Sequence, residues 1–436
     1  MNLQKLFYLR EAFKNSKLSQ SKLKSLQNKK FLEIINYSYK NVNYYRNLWK
    51  KLGIEIKKIN GVQDIKKIPP INKKIVLKNY KNFISNEYRR YLKLLHKMPS
   101  FIFMRSTSGT SGMPFKIYFN PVAKDYLDAI YGRALLKVGY NPTKSLLYYW
   151  WQQTPQKESY HLFNLYRKIC VPFVLNEEEQ LRTIQTIKPE YIYYYPSALY
   201  FMSRMILCQN IELGFNPKLI VSHAEINSET MRKTIENAFN TNVYDQYDSN
   251  EFSVIAWECK ERNGYHINVD SVIVEIVDDN YDEVGCGEVG KVLITGLISR
   301  AMPLIRYEIG DFAIKTEENQ TKHTCGINLP VAIKSIEGRY EHSEFKKNRI
   351  VTQKSLLEKF LSLINTERNL FKLQILVNSK NKKIIVNYNT FGNNETLEKV
   401  FNKTSLNGYK VLFKKVKDIR KNELTGKTLL LESKFS

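Results

Sequence analysis

Residues 105–114 have the sequence Arg-Ser-Thr-Ser-Gly-Thr-Ser-Gly-Met-Pro. Hydroxyl side chains and glycines follow one another here, directly after the apolar run Phe101–Met104. Glycines allow neighbouring backbone N–H groups to converge on an anion, and hydroxyls add further donors. The stretch therefore predicts a phosphate-binding loop, with a Ser/Gly surface linker as the alternative. It is not a Walker loop, because Gly-x4-Gly-Lys-Ser/Thr is absent. The residues predicted to contact phosphate are Ser106, Thr107, Ser108, Gly109, Thr110, Ser111 and Gly112.

The length and composition of the chain indicate a multi-domain globular protein. Its 436 residues exceed what one ordinary core holds, so two or three domains are expected. Hydrophobic residues make up 43% and charged residues 25%, an ordinary globular balance. The sequence has no apolar run of about 18 residues and no secretory signal. With five scattered cysteines, these features predict a cytoplasmic protein without a disulfide framework.

A large positive charge is the second compositional feature. The chain carries 68 Lys and Arg against 42 Asp and Glu, a formal net charge of +26. Such a charge suits a polyanionic partner, namely a nucleic acid, an anionic membrane surface or an acidic cell-envelope polymer. A Lys-rich solvated surface is the favoured alternative, because the lysines are spread along the whole chain rather than gathered in one arm. Nucleic acid is the weakest of these partners, because no zinc finger and no RNP-type aromatic motif accompanies the lysines.

Hydrophobic patterning predicts a change of organisation near residue 338. Apolar positions at helical spacing predict a helical region within residues 1–50, and the prolines of Lys66–Ile71 predict an extended segment. Further predicted elements are helices over 123–138 and from Ser228, and strands over 146–151, 191–195, 219–222, 272–277 and 291–295. A smaller α+β unit follows, with helices at 353–364 and 394–402 and strands at 371–377, 384–388 and 409–416. We therefore predict an N-terminal domain over 1–338 and a C-terminal domain over 339–436.

The loop resembles the signature loop of a known enzyme family. Ser-Thr-Ser-Gly-Thr-Ser-Gly-x-Pro is similar to the phosphate loop of the adenylate-forming (AMP-binding) superfamily. It is most similar to the branch that contains phenylacetate–CoA ligases and capsule polysaccharide biosynthesis proteins, which Ser38–Arg46 and Ile68–Lys74 also resemble. The resemblance implies a multi-domain α/β fold. A large N-terminal domain of sheets flanked by helices would be joined to a small mobile C-terminal α+β domain.

The resemblance also implies an activity and its cofactors. Members activate a carboxylic acid with ATP and Mg²⁺ as an acyl-adenylate, and the usual acceptor in the second step is the thiol of coenzyme A. Arg420–Lys427 resembles the C-terminal Gly-Lys element of the family, which makes Lys427 the expected catalytic lysine. A mobile ammonium suits this step, because a carboxylate oxygen must approach the negatively charged α-phosphate.

Further segments resemble the nucleotide-binding elements of the family. In Asp245–Glu251, the resemblance places Tyr247 near adenine and makes Glu251 a Mg²⁺ ligand, although Asp248 and Asn250 replace the usual glycine and threonine. Ser222-His-Ala-Glu225 resembles the segment that borders the adenine ring, so Glu225 is a predicted nucleotide contact.

The ribose and hinge elements also have counterparts. Ala301–Phe312 is similar to the family segment whose aspartate accepts hydrogen bonds from both ribose hydroxyls, here Asp311. Glu308 stands where the family has arginine. Ile336–Glu341 resembles the hinge about which the C-terminal domain is thought to swing, so Arg339 is expected to contact the nucleotide. Glu341 replaces the hinge aspartate.

Two cysteines and two histidines form a candidate metal set. Cys259, His266, His323 and Cys325 are ligand types for structural zinc, and the branch often has cysteines in comparable places. His323 stands where the branch often has cysteine. The spacing is not that of a standard finger, so buried thiols and hydrogen-bonded histidines are the alternative.

The identities of the acid and the acceptor remain open in the sequence. Aromatic residues in 148–151 and 193–195 are candidates for the lining of an acid pocket, with buried core as the alternative. The acceptor is coenzyme A, or else an amine or hydroxyl of a cell-envelope polysaccharide. A non-catalytic nucleotide- or polymer-binding member of the fold is the rival hypothesis, and either a monomer or a homodimer is expected.

Overall fold

The computed structural model describes most of the chain. The described residues are 3–94, 102–106, 116–150, 158–159, 165–172, 174–316, 324–346, 349–365, 370–378, 381–391, 405–406, 409–419, 421–422, 427–428 and 430–434. Among them, no helix combines the length and the apolar character that crossing a bilayer requires.

The structure contains helices along most of the chain. They are α1 (Leu3–Asn15), α2 (Gln20–Asn41), α3 (Asn43–Lys51), α4 (Lys73–Lys78), α5 (Tyr80–Phe83), α6 (Asn86–Leu94), α7 (Pro121–Val138), α8 (Glu177–Ile187), α9 (Pro196–Cys208), α10 (Glu229–Phe239) and α11 (Gln353–Ile364). Side-chain caps fix several of their starts: Ser228, for example, accepts a hydrogen bond from the backbone of Met231.

The strands are short and numerous. They are β1 (Ile71–Asn72), β2 (Phe103–Ser106), β3 (Lys116–Phe119), β4 (Leu146–Trp150), β5 (Glu158–Ser159), β6 (Lys168–Pro172), β7 (Tyr191–Tyr194), β8 (Leu219–His223), β9 (Val243–Ser249), β10 (Ser253–Glu258), β11 (Tyr265–Ile267), β12 (Val272–Val277), β13 (Val289–Gly296), β14 (Tyr307–Lys315), β15 (Val331–Arg339), β16 (Glu344–Lys346), β17 (Arg349–Val351), β18 (Leu370–Asn378), β19 (Lys383–Thr390), β20 (Ser405–Leu406), β21 (Tyr409–Lys415) and β22 (Leu431–Lys434). The mixed α/β class, with one large sheet flanked by helices and a smaller separate sheet, is confirmed.

The structure differs from the prediction at Lys66–Ile71. The extended segment predicted over Lys66–Ile71 is wrong in its first part, because Val62–Lys67 forms a 3-10 helix. A proline restricts only the residue before it, so Ile68 is extended while the two preceding lysines complete the turn. The helix predicted over 394–402 lies outside the described residues.

The chain divides into two compact units. The first comprises Met1–Val138 and Tyr247–Ser335, and the second comprises Gly139–Gln246 and Ile336–Ser436. The division at Ser335 lies close to the predicted boundary, but the second unit also contains an earlier part of the chain. The prediction of domains over 1–338 and 339–436 therefore stays a prediction.

In the first unit, strands follow one another in the order β12-β13-β14-β15-β11-β10. β1 pairs in parallel with β14. β2 and β3 form a separate antiparallel ribbon, in which Ser106 pairs with Lys116. The residues on either side of the predicted phosphate loop are therefore opposite each other.

A buried ion pair joins the N-terminal helix α1 to other parts of this unit. Arg133 on α7 and Asp270 have fully buried side chains, and Arg133 Nη1 lies 2.8 Å from Asp270 Oδ2. The same guanidinium donates to the carbonyl of Ala12 on α1, and Asn15 donates to Asp270. Burial would raise the pKa of Asp270, but Arg133 holds it below its usual value. Removal of one partner would leave a buried charge, at a cost of about 3–5 kcal/mol.

In the second unit, β4, β6, β7, β8 and the part of β9 up to Gln246 are parallel, in the order β9-β8-β7-β4-β6; Tyr247 and the rest of β9 belong to the first unit. Every residue of β7 and of β8 is buried, as expected for strands covered on both faces. The carboxyl ends of these strands lie at one edge of the sheet, which is where α/β proteins bind ligands.

The C-terminal part of the second unit contains the smaller sheet, with the order β20-β21-β19-β18-β22. Phe360 on α11 and Ile375 on β18 belong to the same buried cluster as Phe201 on α9 and Met231 on α10. Residues 139–246 and 336–436 therefore share one hydrophobic core.

Candidate active site

Aromatic side chains occupy the carboxyl edge of the parallel strands. His223, the last residue of β8, stacks on Tyr193 of β7 with ring centroids 3.9 Å apart. Tyr193 in turn stacks on Tyr148 of β4 at 5.0 Å. Gln246 on β9 donates a hydrogen bond of 2.6 Å to the Tyr193 hydroxyl. Three of the four side chains are buried and Tyr148 is partly exposed, so the aromatic segments predicted as pocket lining form part of the packed core at this edge.

Lys427 reaches the same edge from the C-terminal part of the chain. Its ammonium donates to the carbonyl of Ala224, the residue that follows β8. It also lies 5.5 Å from the ring centre of Tyr195, which follows β7. Two residues predicted from separate motifs, Lys427 and Glu225, are thus neighbours. Burial raises the pKa of Glu225, although the Lys427 charge and hydrogen bonding from Ser197 oppose this shift.

Two buried acceptors at this edge have no hydrogen-bond donor among the described residues. Glu225 Oε2 accepts from the backbone N–H of Ser197, but its Oε1 is buried without a partner. The amide nitrogen of Asn227 donates to Ser222, and its Oδ1 is buried without a partner in the same way. Buried acceptors normally have a donor. These two oxygens therefore suit a ligand that brings N–H groups.

In the first unit, the predicted adenine and ribose residues are in contact. The hydroxyl of Tyr247 on β9 donates a hydrogen bond of 2.8 Å to Asp311 Oδ2 on β14. Each of the two residues is 7% exposed, so the carboxylate is held in place at a largely buried site.

The turn after β9 lies beside the start of the predicted phosphate loop. Asn250 Nδ2 donates a hydrogen bond of 2.8 Å to the carbonyl of Ser106, the last residue of β2. Asn250 replaces the usual threonine of the family, and this hydrogen bond gives the substitution a role. Glu251, the predicted Mg²⁺ ligand, is the next residue, and carboxylate oxygen is the donor that Mg²⁺ prefers. The remaining predicted loop residues, Thr107, Ser108, Gly109, Thr110, Ser111 and Gly112, lie outside the described residues.

Two further departures from the family pattern, Glu308 and Glu341, have local partners. Glu308 accepts a hydrogen bond of 3.2 Å from the hydroxyl of Tyr281. Glu341 lies in a short 3-10 turn, 3.8 Å from the His342 imidazole.

Arg339 closes β15 at the predicted hinge. Its backbone N–H donates to the side chain of Gln353 on α11. Gly338 has φ +93° and lies so close to Gln353 and Ile226 that a Cβ atom would fall 2.5 Å from each. Only glycine fits there without a shift. The predicted nucleotide contact of Arg339 stays a prediction.

Three of the four predicted zinc ligands come together. The ligand atoms of Cys259, His266 and Cys325 all lie within 4.8 Å of one another. His266 Nδ1 lies 2.7 Å from the carbonyl of Leu329, which leaves Nε2 directed at the Cys325 sulfur 3.5 Å away. Burial raises the pKa of Cys259 to about 12, and a bound zinc ion would instead favour the thiolate. Two thiols and an oriented imidazole fit zinc. His323 lies outside the described residues.

The sequence did not single out Glu177 and Lys421, which form buried ion pairs in the second unit. Asn176-Glu-Glu-Glu179 carries a capping-box pattern, so the helix start was visible in the sequence. No local pattern, however, indicates that Glu177 faces inwards.

Comparison with known proteins places this geometry in a family. No family model matches the chain. It is 27% identical over 351 residues to protein CapK of Staphylococcus aureus, covering 76% of this chain and 71% of CapK. It is 27% identical over 329 residues to phenylacetate–coenzyme A ligase of Thermus thermophilus, covering 71% of this chain and 68% of that enzyme. These relatives support the adenylate-forming superfamily of ligases, and within it the branch of phenylacetate–CoA ligases and CapK, as the family that this chain resembles.

Solved structures support the same fold. A 2-hydroxyisobutyryl-CoA ligase in the postadenylation state matches with a TM-score of 0.72, over 97% of this chain and 91% of that chain, at 14% sequence identity. A structure of this ligase in the thioesterification state matches with a TM-score of 0.60, at 16% identity. The predicted adenylate-forming fold is thus confirmed.

Proposed function

We propose that this member of the adenylate-forming superfamily activates a small carboxylic acid with ATP and transfers the acyl group to coenzyme A. The observation that carries the proposal is the position of Lys427. Its ammonium lies at the carboxyl end of β8, on the Ala224 carbonyl and beside Glu225. Relatives named phenylacetate–CoA ligase support the thiol acceptor.

In the first step, a carboxylate oxygen attacks the α-phosphorus of ATP, and pyrophosphate leaves. Lys427 offsets the repulsion between the two anions and stabilises the charge that develops on the α-phosphate. The 106–112 loop would hold the remaining phosphates. Glu251 would hold Mg²⁺, and the charge of that ion would stabilise the leaving pyrophosphate. Arg339 is proposed to contact the nucleotide during this step.

Nucleotide recognition is proposed for Asp311 with Tyr247, and for Glu225. Asp311 accepts hydrogen bonds from the ribose hydroxyls, with Tyr247 holding its carboxylate in position. Glu225 accepts from the amino group of adenine, which supplies the donor that its buried Oε1 lacks. The Cys259–His266–Cys325 group, with His323, is proposed to hold a structural zinc ion, because four protein ligands leave no open position for chemistry.

A second acceptor is favoured by one relative. CapK matches this chain over 351 residues, and the resemblance to capsule biosynthesis proteins suggests an amine or hydroxyl of a cell-envelope polysaccharide as the acyl acceptor. The first half-reaction is the same in both cases. Only the product of the second step distinguishes coenzyme A from a sugar.

The exposed face of α1 supports an anionic surface as a partner. Residues 3–94 contain 23 Lys and Arg against 5 Asp and Glu. On α1, Leu6 and Phe7 are 39% and 64% exposed, and Arg10 and Lys14 are exposed on the same side of the helix. Exposed apolar side chains beside basic ones are typical of helices that lie on anionic membranes. A second copy of the chain would bring like charges together, so we favour an anionic bilayer.

One assay tests the central proposal. Pyrophosphate–ATP exchange is measured with a panel of aryl, aliphatic and amino acids, using the wild type and Lys427→Ala. The variant is expected to lose exchange by about 100- to 1000-fold, as for one transition-state donor. Lys410→Ala, an exposed lysine of β21, is the matched control. No exchange with any acid would refute the ligase proposal and favour the non-catalytic rival.

A further inference from the structure

A buried carboxylate lies between two lysines near the C-terminal part of the second unit. Glu177, the first residue of α8, has a side chain that is 2% exposed and lies 2.6 Å from Lys372 Nζ. Its other oxygen lies 3.1 Å from Lys421 Nζ. Lys372 pairs with Asp418 as well. The N-terminal end of α8 adds partial positive charge beside this carboxylate.

The buried ion pairs of Glu177 with Lys372 and Lys421 are weak evidence for a stabilising role. Removing charges from water costs several kcal/mol per ion, and apolar replacements of buried ion pairs are often equally stable. What the ion pairs do provide is a defined position for the chain segments that carry the charges. Lys372 belongs to β18, whereas Lys421 precedes the segment that ends at Lys427.

Backbone hydrogen bonding extends this fixed position to Lys427. Lys421 Nζ donates a hydrogen bond of 2.6 Å to the carbonyl of Leu175, just before α8. The next residue, Asn422, donates its backbone N–H to the carbonyl of Lys427 at 2.8 Å. Residues 422 and 427 are thus tied together, directly beside the anchored Lys421. The ammonium of Lys427 then reaches Ala224.

We propose that Glu177 is a positioning residue for Lys427: it anchors Lys421, and thereby fixes the adjoining Asn422–Lys427 backbone hydrogen bond that places the Lys427 ammonium at the carboxyl end of β8. This inference rests on the proposed catalytic role of Lys427. Glu177 acts through Lys421 and Asn422 and touches neither ATP nor the acid. Lys372 has a different part, since it ties β18 to α8 without a direct link to residue 427.

A purely structural role predicts a different outcome from a positioning role. If Glu177 only supports folding, its loss lowers stability and the amount of active protein. The exchange rate then falls by the same factor whether or not Lys427 is present. If Glu177 positions Lys427, its loss slows the adenylation step only while the lysine is present. Substrate affinity and the transfer from a preformed adenylate are then unaffected.

The experiment is a double-mutant cycle on pyrophosphate–ATP exchange. Glu177→Gln and Lys421→Met are expected to lower kcat by about 10- to 100-fold, the size expected for a misplaced catalytic group, with KM for ATP nearly unchanged. In the Lys427→Ala background the same changes are expected to cost less than about twofold. Glu178→Gln is the matched control. Glu178 is the next residue of α8, but its carboxylate is 60% exposed and pairs with Arg182 on the surface.

Two further measurements keep the outcomes apart. Acyl-CoA formation from supplied acyl-adenylate is expected to stay at the wild-type rate in Glu177→Gln. Labelling of Lys427 by an amine-reactive reagent, followed by peptide mass spectrometry, is expected to rise in Glu177→Gln and not in Glu178→Gln. The labelling readout does not depend on activity, so it judges the positioning even if no acid supports exchange.

The inference is overturned if Glu177→Gln lowers kcat by the same factor in the Lys427→Ala background as in the wild type. It is also overturned if labelling of Lys427 is unchanged in folded Glu177→Gln. An active wild type in which Lys427→Ala has no effect refutes the catalytic role of Lys427 instead. If Glu177→Gln fails to fold, Lys421→Met decides the matter by the same three readouts.

Discussion

The hydroxyl of Tyr247 donates a hydrogen bond of 2.8 Å to Asp311 Oδ2, and the two side chains come from strands β9 and β14. The bond fixes the orientation of a largely buried carboxylate before any nucleotide arrives. A carboxylate held in this way loses little rotational freedom on binding, which favours recognition of a vicinal diol. The sequence predicts separate roles for the two residues, whereas in the structure they are joined by a hydrogen bond.

Loss of this carboxylate should remove ribose recognition. We expect Asp311→Ala to weaken ATP binding by about 10- to 100-fold, because hydrogen bonds to a charged group contribute about 1.5–3 kcal/mol. Tyr247→Phe should weaken it less, by about 3- to 10-fold, since the carboxylate remains. Isothermal titration with ATP and 2′-deoxy-ATP measures both effects. Asp279→Ala, whose side chain is 79% exposed, is the control. Unchanged preference for ATP over its deoxy form in Asp311→Ala would contradict the assignment.

Glu225 should decide which purine is accepted. Its buried Oε1 suits the amino group of adenine, whereas inosine triphosphate carries a carbonyl at that place. We expect the wild type to bind ATP about 5- to 100-fold more tightly than ITP. With ITP, the carbonyl oxygen of the base would face the Glu225 oxygen, and neither acceptor would have a donor. Glu225→Leu should reduce this ratio towards one, and Glu225→Gln should keep part of it. Glu229→Gln, on the exposed start of α10, serves as control. A ratio that does not change in Glu225→Leu would show that Glu225 does not contact adenine.

Local sequence rules predicted much of the fold. Ser228 marks a helix start because its hydroxyl caps the backbone, and α10 begins at the next residue. Continuous apolar runs located β4, β7 and β8 for a similar local reason. The prediction that Lys66 is extended is wrong, because a proline restricts only the residue directly before it, here Ile68.

The site was predictable where a motif carried it and not elsewhere. Motif resemblance named Tyr247, Asp311 and Lys427, but no pattern in the sequence says which of their neighbours hold them. Glu177 and Lys421 are separated by most of the second unit, and an inward-facing glutamate looks like any helix-start glutamate in sequence. Such pairs are set by tertiary packing, which a single sequence does not report.

The Cys259–His266–Cys325 group should contain zinc. We expect protein purified without chelators to hold about one zinc per chain, measured by plasma mass spectrometry. Cys259→Ser, Cys325→Ser and His323→Ala should lose most of it, and Tm should fall by about 5 °C or more because metal binding stabilises the fold. Cys286→Ser, an exposed cysteine, should keep both metal and Tm. Full stability in zinc-free protein would rule out a structural ion.

The exposed face of α1 should bind anionic bilayers. We expect co-sedimentation with vesicles containing phosphatidylglycerol and none with pure phosphatidylcholine, because Arg10 and Lys14 need an anionic partner. Arg10→Glu or Lys14→Glu should weaken binding by about fivefold or more, and Phe7→Ser should weaken it at high salt, where only the apolar contact remains. Lys410→Glu, an exposed lysine of the other unit, makes the same charge change away from α1 and should have little effect. Equal loss in all the charge variants would mean that net charge, rather than the α1 face, drives association. Tighter binding to DNA than to vesicles, with the same dependence on Arg10, would assign the face to nucleic acid instead.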